Sequence, residues 1–177
     1  MTLQTVIRSA NISDIPPLHA LVERAYRGHS ARKGWTHEAD LLDGQRTDLA
    51  MLTSIVCDPD QRILLALDDE SIIGCVQVTR KPENTSYLGL LTVEPSRQAT
   101  GLGTLLIAAA ENCAKTEFSA HRMEMTVIRQ REELIEYYGR RGYTATGEER
   151  PFPLDDVRFG LPKTRELAFV VLERRLT

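Results

Sequence analysis

The sequence predicts a single domain of the α/β (α+β) class, built on a mixed β-sheet that is flanked by helices. Short apolar segments of strand length alternate along the chain with amphipathic segments of helical period. Short polar connections join three successive strands in the middle of the chain, which favours an antiparallel meander. A strand–helix–strand crossover follows this meander, so the sheet is expected to be mixed. A length of 177 residues with 42% hydrophobic content suits one compact domain.

The predicted strands and helices follow the order β-α-α-β-β-β-α-β-α-β-β. Strands are expected at residues 5–8, 62–67, 72–79, 86–93, 123–128, 143–147 and 167–172. Each is a short run of alternating or continuous apolar residues between polar, glycine or proline residues. Gly74 lies inside the third run and indicates a bend or bulge. These runs predict a sheet of about seven strands.

The helices are predicted from apolar spacing and from residues that cap helix ends. Helices are expected at residues 14–28, from residue 36, at 49–56, at about 101–115 and at 130–141. Asn11 and Ser13 offer capping oxygens to the first, and Asp48 caps the third. Glu38 falls in the first turn of the second predicted helix. Gly142 is placed to end the last one.

The composition argues against several classes of protein. A net charge of −3 disfavours a nucleic-acid-binding protein, which normally carries a basic excess. Cys57, Cys75 and Cys113 are widely spaced in apolar segments, so we expect reduced core cysteines. The four histidines lack metal-ligand spacing, and no metal site is expected. No secretory leader and no bilayer-length apolar run is visible, which predicts a cytoplasmic protein without a membrane partner.

A glycine-containing loop, residues 98–104, separates the strand at 86–93 from the helix that follows; it is called the glycine loop below. Gly101 and Gly103 leave space for a ligand to approach the main chain. The first N–H groups of the following helix have no partner within that helix. Together with the positive end of the helix dipole, these groups favour a phosphate or pyrophosphate. The glycine loop is therefore a predicted anion site.

Three phosphate-binding patterns can be compared with this loop. A Walker A loop needs a lysine after its last glycine, but Thr104 and Leu105 follow Gly103. A dinucleotide fingerprint needs a third glycine where Leu106 stands, and it should follow the first strand rather than the fourth. The remaining pattern is Gln-x-x-Gly-x-Gly, which residues 98–103 match.

Two motifs together resemble the GNAT superfamily of N-acetyltransferases. One is Val-x-Pro followed by Gln-x-x-Gly-x-Gly-x-x-Leu at residues 93–106, which resembles the pyrophosphate loop of that superfamily. The other is Tyr-x-x-x-Gly-Tyr at residues 138–143. The order of predicted elements also resembles the superfamily over nearly the whole chain. The resemblance implies one N-acetyltransferase domain over residues 1–177, a mostly antiparallel GNAT-like sheet, and acetyl-CoA as the cofactor.

The resemblance implies three segments for cofactor binding. The implied residues are Leu91, Thr92 and Val93 in the strand, Gln98, Ala99, Thr100, Gly101, Leu102, Gly103 and Thr104 in the loop, and Arg131, Leu134 and Tyr137 in the later helix. The superfamily often carries Asn-x-x-Ala where this chain has Arg131 and Leu134, so its usual Asn contact to the pantetheine arm is not expected here. Arg97, Arg140 and Arg141 are further candidates to meet the 3′-phosphate of coenzyme A.

Acyl transfer by direct attack requires three chemical functions. A main-chain N–H of residues 91–93 is the candidate donor to the thioester carbonyl, if a bulge separates this strand from the one at 123–128. Tyr138 is the candidate general acid for the leaving thiolate, because a phenol is a donor at neutral pH; Tyr137 is the alternative. Glu94 and Glu38 are the candidate bases for the attacking amine.

The acceptor side is expected near Trp35 and Arg46. Arg46 suits a carboxylate of the substrate through a bidentate pair. The sequence thus predicts an acetyl-CoA-dependent N-acetyltransferase that acts on the amine of a small, amino-acid-like molecule, as a monomer or homodimer. A protein or peptide N-acetyltransferase and a non-catalytic acyl-CoA-binding sensor are the alternatives.

Overall fold

The computed structural model of the chain describes residues 5–27, 31–32, 34 and 38–177. Its helices are α1 (Ile15–Tyr26), α2 (Leu49–Cys57), α3 (Leu102–Phe118) and α4 (Glu132–Gly139). Its strands are β1 (Val6–Ser9), β2 (Leu42–Asp43), β3 (Gln61–Asp68), β4 (Ser71–Lys81), β5 (Thr85–Val93), β6 (Arg122–Ile128), β7 (Thr144–Pro151), β8 (Leu161–Pro162) and β9 (Ala168–Arg175). Short 3-10 helices cover Ile12–Asp14, Pro95–Arg97 and Val157–Phe159.

Seven strands form one sheet in the order β1-β3-β4-β5-β6-β9-β7. Its pairings are antiparallel, except that β5 and β6 run parallel. The predicted class, a mixed and mostly antiparallel sheet of about seven strands flanked by helices, is confirmed. A separate antiparallel pair of β2 with β8 was not predicted, because strands of two residues carry no readable periodicity.

Helices cover both faces of the large sheet. On one face, α1 and α2 pack on β3 and β4 through the fully buried Leu18, Val22 and Leu52. On the other face, Leu106 of α3 and Tyr138 of α4 belong to the cluster that covers the central strands. Each helix buries one apolar stripe, which is why the helical spacing was visible in the sequence. β5 is consequently held between two layers of helices.

The predicted capping residues take the predicted roles. The Asp48 carboxylate accepts the Met51 N–H at 2.7 Å and begins α2. Gly142 has φ of +89°, and the next N–H, that of Tyr143, donates to the Tyr138 carbonyl at 3.2 Å. A left-handed glycine that ends a helix in this way is the expected C-terminal cap.

Two sequence-based expectations need correction. Glu38 does not lie in a helical turn: it precedes a turn, and its N–H donates to the Tyr26 carbonyl at 3.1 Å. The start of the helix predicted from residue 36 lies outside the described residues. Cys57 is exposed, so the expectation of a core cysteine is wrong there, although Cys75 and Cys113 are buried. Cys57 is the last residue of α2, where an apolar segment meets solvent.

Candidate active site

Strands β5 and β6 diverge in the middle of the sheet. They pair only over residues 85–87 of β5 and 122–124 of β6. Further along β5, its register with β4 shifts by one residue, and Leu90 has φ of +51°. This irregularity is the bulge that the sequence analysis required. It leaves the second half of β5 without a strand partner on the β6 side in this fully described part of the sheet.

Two cavities open beside this divergence. One, about 340 Å³, lies between the glycine loop and α4 and is called the loop cavity. The other, about 350 Å³, lies between the diverging strands and is called the strand cavity. Four residues line both cavities: Tyr26, Leu91, Leu134 and Tyr138. The cavities therefore meet where β5 leaves β6.

The loop cavity brings together most of the residues predicted for the cofactor. Its lining includes Leu91, Val93, Gln98, Ala99, Gly101, Gly103, Thr104, Leu134 and Tyr137, with Arg97, Arg140 and Arg141. Thr92 and Leu102 are buried and Thr100 is exposed, and none of the three is part of the lining. Arg131 lines the strand cavity instead.

The glycine loop adopts backbone conformations that suit small residues. Gly101 has φ of +86° and stands at the N-cap position of α3, where it offers no side-chain hydrogen bond to the first N–H groups of that helix. A Cβ at Gly103 would lie 2.5 Å from the Tyr137 hydroxyl oxygen. Gly103 is therefore required by the close approach of α4 to the start of α3, in addition to leaving space for a ligand.

Arg141 ties α4 to the start of α3. Its Nε and one Nη donate to the Thr104 hydroxyl at 3.1 and 2.9 Å. Its guanidinium lies 3.4 Å from the centroid of the Tyr137 ring. A stacked and hydrogen-bonded arginine keeps its positive charge fixed at the rim of the cavity.

Tyr138 stands at the junction of the cavities. Its side chain is buried, with 6% of the residue exposed, and its ring packs edge-on against Tyr137 and Tyr143. Its hydroxyl makes no hydrogen bond to the residues that the structure describes. Burial raises the pKa of Tyr138 well above its usual value. The phenol is therefore protonated at neutral pH and can donate to a ligand.

Tyr26 is a candidate site residue that no sequence pattern indicated, and it lines both cavities. Its hydroxyl donates to the Leu91 carbonyl at the bulge, and burial raises the pKa of Tyr26 to about 12. The two residues are 65 positions apart, so no local motif connects them. The one available signal was its place at the end of α1, a helix that packs on β5.

The strand cavity collects the charged candidates of the acceptor side. Glu38 pairs with Arg27 at 2.5 Å and lies 4.0 Å from Nε of Arg46. Arg46 in turn lies 5.2 Å over the Tyr26 ring. Burial alone lowers the pKa of Arg46, but the negative charge of Glu38 raises it, and the net direction is upward, so Arg46 is charged.

Glu94, the other candidate base, does not line either cavity. Its carboxylate pairs with Arg24 at 2.6 Å. Trp35 lies outside the described residues. Within the described ranges, no group of three His, Cys, Asp or Glu side chains is arranged to hold a metal ion, and no helix is long and apolar enough to cross a membrane.

The family match shows an acyltransferase of the kind that uses acetyl-CoA. Residues 18–143 match the model of the Acetyltransferase (GNAT) family. This match covers more than two thirds of the chain, and the protein belongs to the GNAT acetyltransferase family, whose cofactor is acetyl-CoA. No curated protein matches the sequence.

Three solved structures with the same fold are distant from this chain in sequence. One is assigned to the GNAT acetyltransferases of Desulfovibrio desulfuricans, with 15% identity, 98% of this chain and 100% of that chain covered, and a TM-score of 0.72. A second is the ribosomal-protein-S18-alanine N-acetyltransferase of Escherichia coli, with 11% identity, 98% and 95% covered, and a TM-score of 0.71. A third is a Salmonella typhimurium protein with its cofactor acetyl-CoA, with 16% identity, the same coverage and a TM-score of 0.71. At these identities the likeness shows the fold alone.

Proposed function

We propose that the protein is an N-acetyltransferase that moves the acetyl group of acetyl-CoA to the amino group of a small molecule. The observation that carries this proposal is the meeting of two cavities at the β5–β6 divergence, next to the Tyr138 hydroxyl. One cavity has the features that a phosphate-bearing cofactor needs, and the other has room for a small acceptor.

The cofactor is proposed to lie in the loop cavity. The N–H groups of the glycine loop and the first turn of α3 bind the pyrophosphate, where the helix dipole is favourable. Arg97, Arg140 and Arg141 line the same cavity and supply positive charge for the phosphates. The pantetheine arm follows residues 91–93 of β5 as an additional strand would, because β6 does not occupy that edge.

The reaction is proposed to take place at the bulge. The nitrogen of the neutral amine attacks the thioester carbon, and a main-chain N–H of residues 91–93 stabilises the developing oxyanion. The C–S bond then breaks, and Tyr138 gives a proton to the leaving thiolate. Tyr137 is less suited to this role, because its hydroxyl lies against Gly103 on the cofactor side.

Glu38 is the candidate that we retain as acceptor of the amine proton. It lines the strand cavity, whereas Glu94 pairs with Arg24 away from it. Replacing Glu38 by Gln is expected to lower kcat/KM most at neutral pH. The loss should shrink at higher pH, where the amine loses its proton to solvent.

The test is acetyl-CoA thiol release with a panel of amines, measured for the wild type and Tyr138→Phe. Loss of a general acid should lower the acetyl-transfer rate constant about 10²- to 10⁴-fold, with little change in the Kd of acetyl-CoA. Tyr143→Phe is the matched control, since that buried hydroxyl donates to Glu111 and lines neither cavity.

The pH profile gives a second readout. Because burial raises the pKa of Tyr138, the wild-type rate should show no falling limb up to about pH 10. An unchanged single-turnover rate in Tyr138→Phe would remove Tyr138 from the mechanism. Binding of acetyl-CoA without thiol release for any amine would indicate a sensor instead of an enzyme.

A further inference from the structure

The charges in the strand cavity restrict the kind of acceptor that fits it. Among the described residues that line it, three are charged: Glu38, Arg46 and Arg131. The Glu38 carboxylate is engaged at 2.5 Å by Arg27, a side chain that is only 5% exposed and lies behind the lining. The cavity therefore presents more positive than negative charge to its ligand.

Arg46 is the cation with capacity for a ligand. Its main-chain N–H donates to the Glu23 carboxylate at 2.8 Å, which fixes the backbone, and its guanidinium rests over the Tyr26 ring. The side chain is 26% exposed, and its closest ion pair, to Glu38, is long at 4.0 Å. Among the residues that the structure describes, the Arg46 guanidinium donates no hydrogen bond. Its N–H groups can therefore donate hydrogen bonds to a ligand carboxylate, and no existing hydrogen bond has to break.

Arg131 adds a second positive charge to the same lining. Its side chain is 7% exposed, while its partner Glu133 is 53% exposed at a distance of 2.7 Å. The negative member of this pair is thus well hydrated, and the positive member is buried beside the cavity. Charges in such a partly buried setting act more strongly on a ligand than exposed ones.

The remaining wall of the strand cavity is largely apolar. It includes Met125, Val127, Pro153, Phe159 and Phe169. A cavity of about 350 Å³ is at the lower end of the range for small-molecule sites. The lining thus combines one anion-binding end with apolar surface for a substituent of modest size.

We propose that the acceptor is an amino acid with an apolar side chain, whose carboxylate is bound by Arg46 with support from the charge of Arg131. This proposal rests on the proposed acetyltransferase function. The amino group then reaches the thioester at the junction of the cavities. Formation of the N–C bond gives the N-acetyl amino acid, and cleavage of the C–S bond releases coenzyme A. Polycationic amines are disfavoured by the same charges.

The test compares acceptors that differ only in the anionic group. The panel consists of apolar amino acids, their carboxamides and the corresponding decarboxylated amines, for example L-phenylalanine, L-phenylalaninamide and phenethylamine, with spermidine as a cationic probe. We expect kcat/KM for the free acid to exceed that for the matched amide and amine by about 10- to 100-fold, the contribution of a charged hydrogen-bonded pair. The amino group of the amide is less basic than that of the free acid and loses its proton more easily. This difference favours the amide, so it cannot produce a preference for the free acid.

Arg46→Gln should remove the preference and leave the cofactor side intact. We expect KM for the free acid to rise about 10- to 100-fold, KM for the amide to stay within about 3-fold, and the Kd of acetyl-CoA to stay unchanged. Arg46→Lys keeps the positive charge but lacks the paired N–H donors of a guanidinium. Its KM for the free acid should lie between the values for the wild type and Arg46→Gln. Arg165→Gln is the control, because that side chain is 73% exposed, pairs with the exposed Asp155 and lies outside both linings.

Failure of this inference is distinguishable from failure of the proposed function. Thiol release with amides, amines or spermidine at or above the rate for the acids would overturn the inference while the acetyltransferase function stands. An equal rise in KM for acid and amide in Arg46→Gln would also overturn it, since that result indicates a structural role. Absence of thiol release with every acceptor would overturn the proposed function itself.

Discussion

The packing of the glycine loop against α4 can be tested by the substitution Gly103→Ala, which adds one methyl group. A Cβ at this second residue of α3 would lie 2.5 Å from the Tyr137 hydroxyl oxygen. At a solvent-exposed helical position, a protein with alanine is more stable than one with glycine by up to about 1 kcal/mol. Here the Tyr137 ring is held by the Arg141 guanidinium and by the ring of Tyr138. We therefore expect Gly103→Ala to lower the free energy of unfolding by about 1–3 kcal/mol.

A double-mutant cycle assigns this loss to one contact. Without the hydroxyl, the nearest ring atom of Tyr137, Cζ, is 3.7 Å from the new Cβ, which is ordinary van der Waals contact. Tyr137→Phe should therefore recover most of the loss in the Gly103→Ala background, with a coupling energy of about 1–2 kcal/mol. Urea unfolding of the wild type, each single variant and the double variant gives this value. The Tyr137→Phe single variant reports the separate effect of losing the hydroxyl.

Gly139 supplies the control for this cycle. It lies in α4 without a positive φ, and a Cβ there would meet nothing within 4 Å. Gly139→Ala should therefore leave stability unchanged or raise it. Only Gly103→Ala should also weaken acetyl-CoA binding, by about 10-fold, because a displaced Tyr137 enters the loop cavity. Additive effects in the double variant, or equal stability of the two alanine variants, would refute the reasoning.

Two further predictions concern the two ends of α1. Asp14→Asn removes a carboxylate that accepts hydrogen bonds from Arg8 at 2.7 and 2.8 Å and from the Asn11 N–H at 2.8 Å. Urea unfolding at pH 7 should therefore show a free energy of unfolding that is lower by about 1–3 kcal/mol. The hydrogen bonds from Arg8 lower the pKa of Asp14, so the stabilisation by this carboxylate is complete above the unfolded-state pKa of about 4. It disappears as the pH falls through the lower pKa of the folded state. Equal stability of Asp14→Asn and the wild type at pH 7 would contradict this prediction. Tyr26→Phe removes the donor to the Leu91 carbonyl, and the acetyl-transfer rate constant in single-turnover kinetics should fall about 10-fold at an unchanged Kd for acetyl-CoA. An unchanged rate would show that the bulge keeps its geometry without this hydrogen bond.

The parts of the fold that could be predicted are those encoded over a few residues. The apolar period of α1, the cap at Asp48 and the glycine after α4 each involve neighbours in sequence, and each appears where it was expected. Part of the lining of the loop cavity is local in the same sense, because Gln98, Ala99, Gly101, Gly103 and Thr104 come from one short segment. Local patterns therefore indicated this segment of the cavity lining, and its role in cofactor binding stays a prediction.

The strand cavity could not be located in this way, because its charged residues come together only in the folded chain. Arg131 precedes α4 by one position, and a helical count alone does not tell which cavity such a residue faces. Glu38 was assigned to a helical turn, whereas its position depends on Arg27, a residue in the loop after α1. Glu94 follows the bulge in β5, and a shift of one residue exchanges the two faces of a strand.

The bulge explains why one site can use residues from both layers of helices. Tyr26 comes from α1 on one face of the sheet, and Tyr138 comes from α4 on the other face. A continuous sheet would separate these two phenols, yet both line both cavities. This is possible because β5 and β6 stop pairing after residues 87 and 124. The divergence that leaves the β6-side edge of residues 91–93 open is thus the same feature that brings Tyr26 and Tyr138 to one junction.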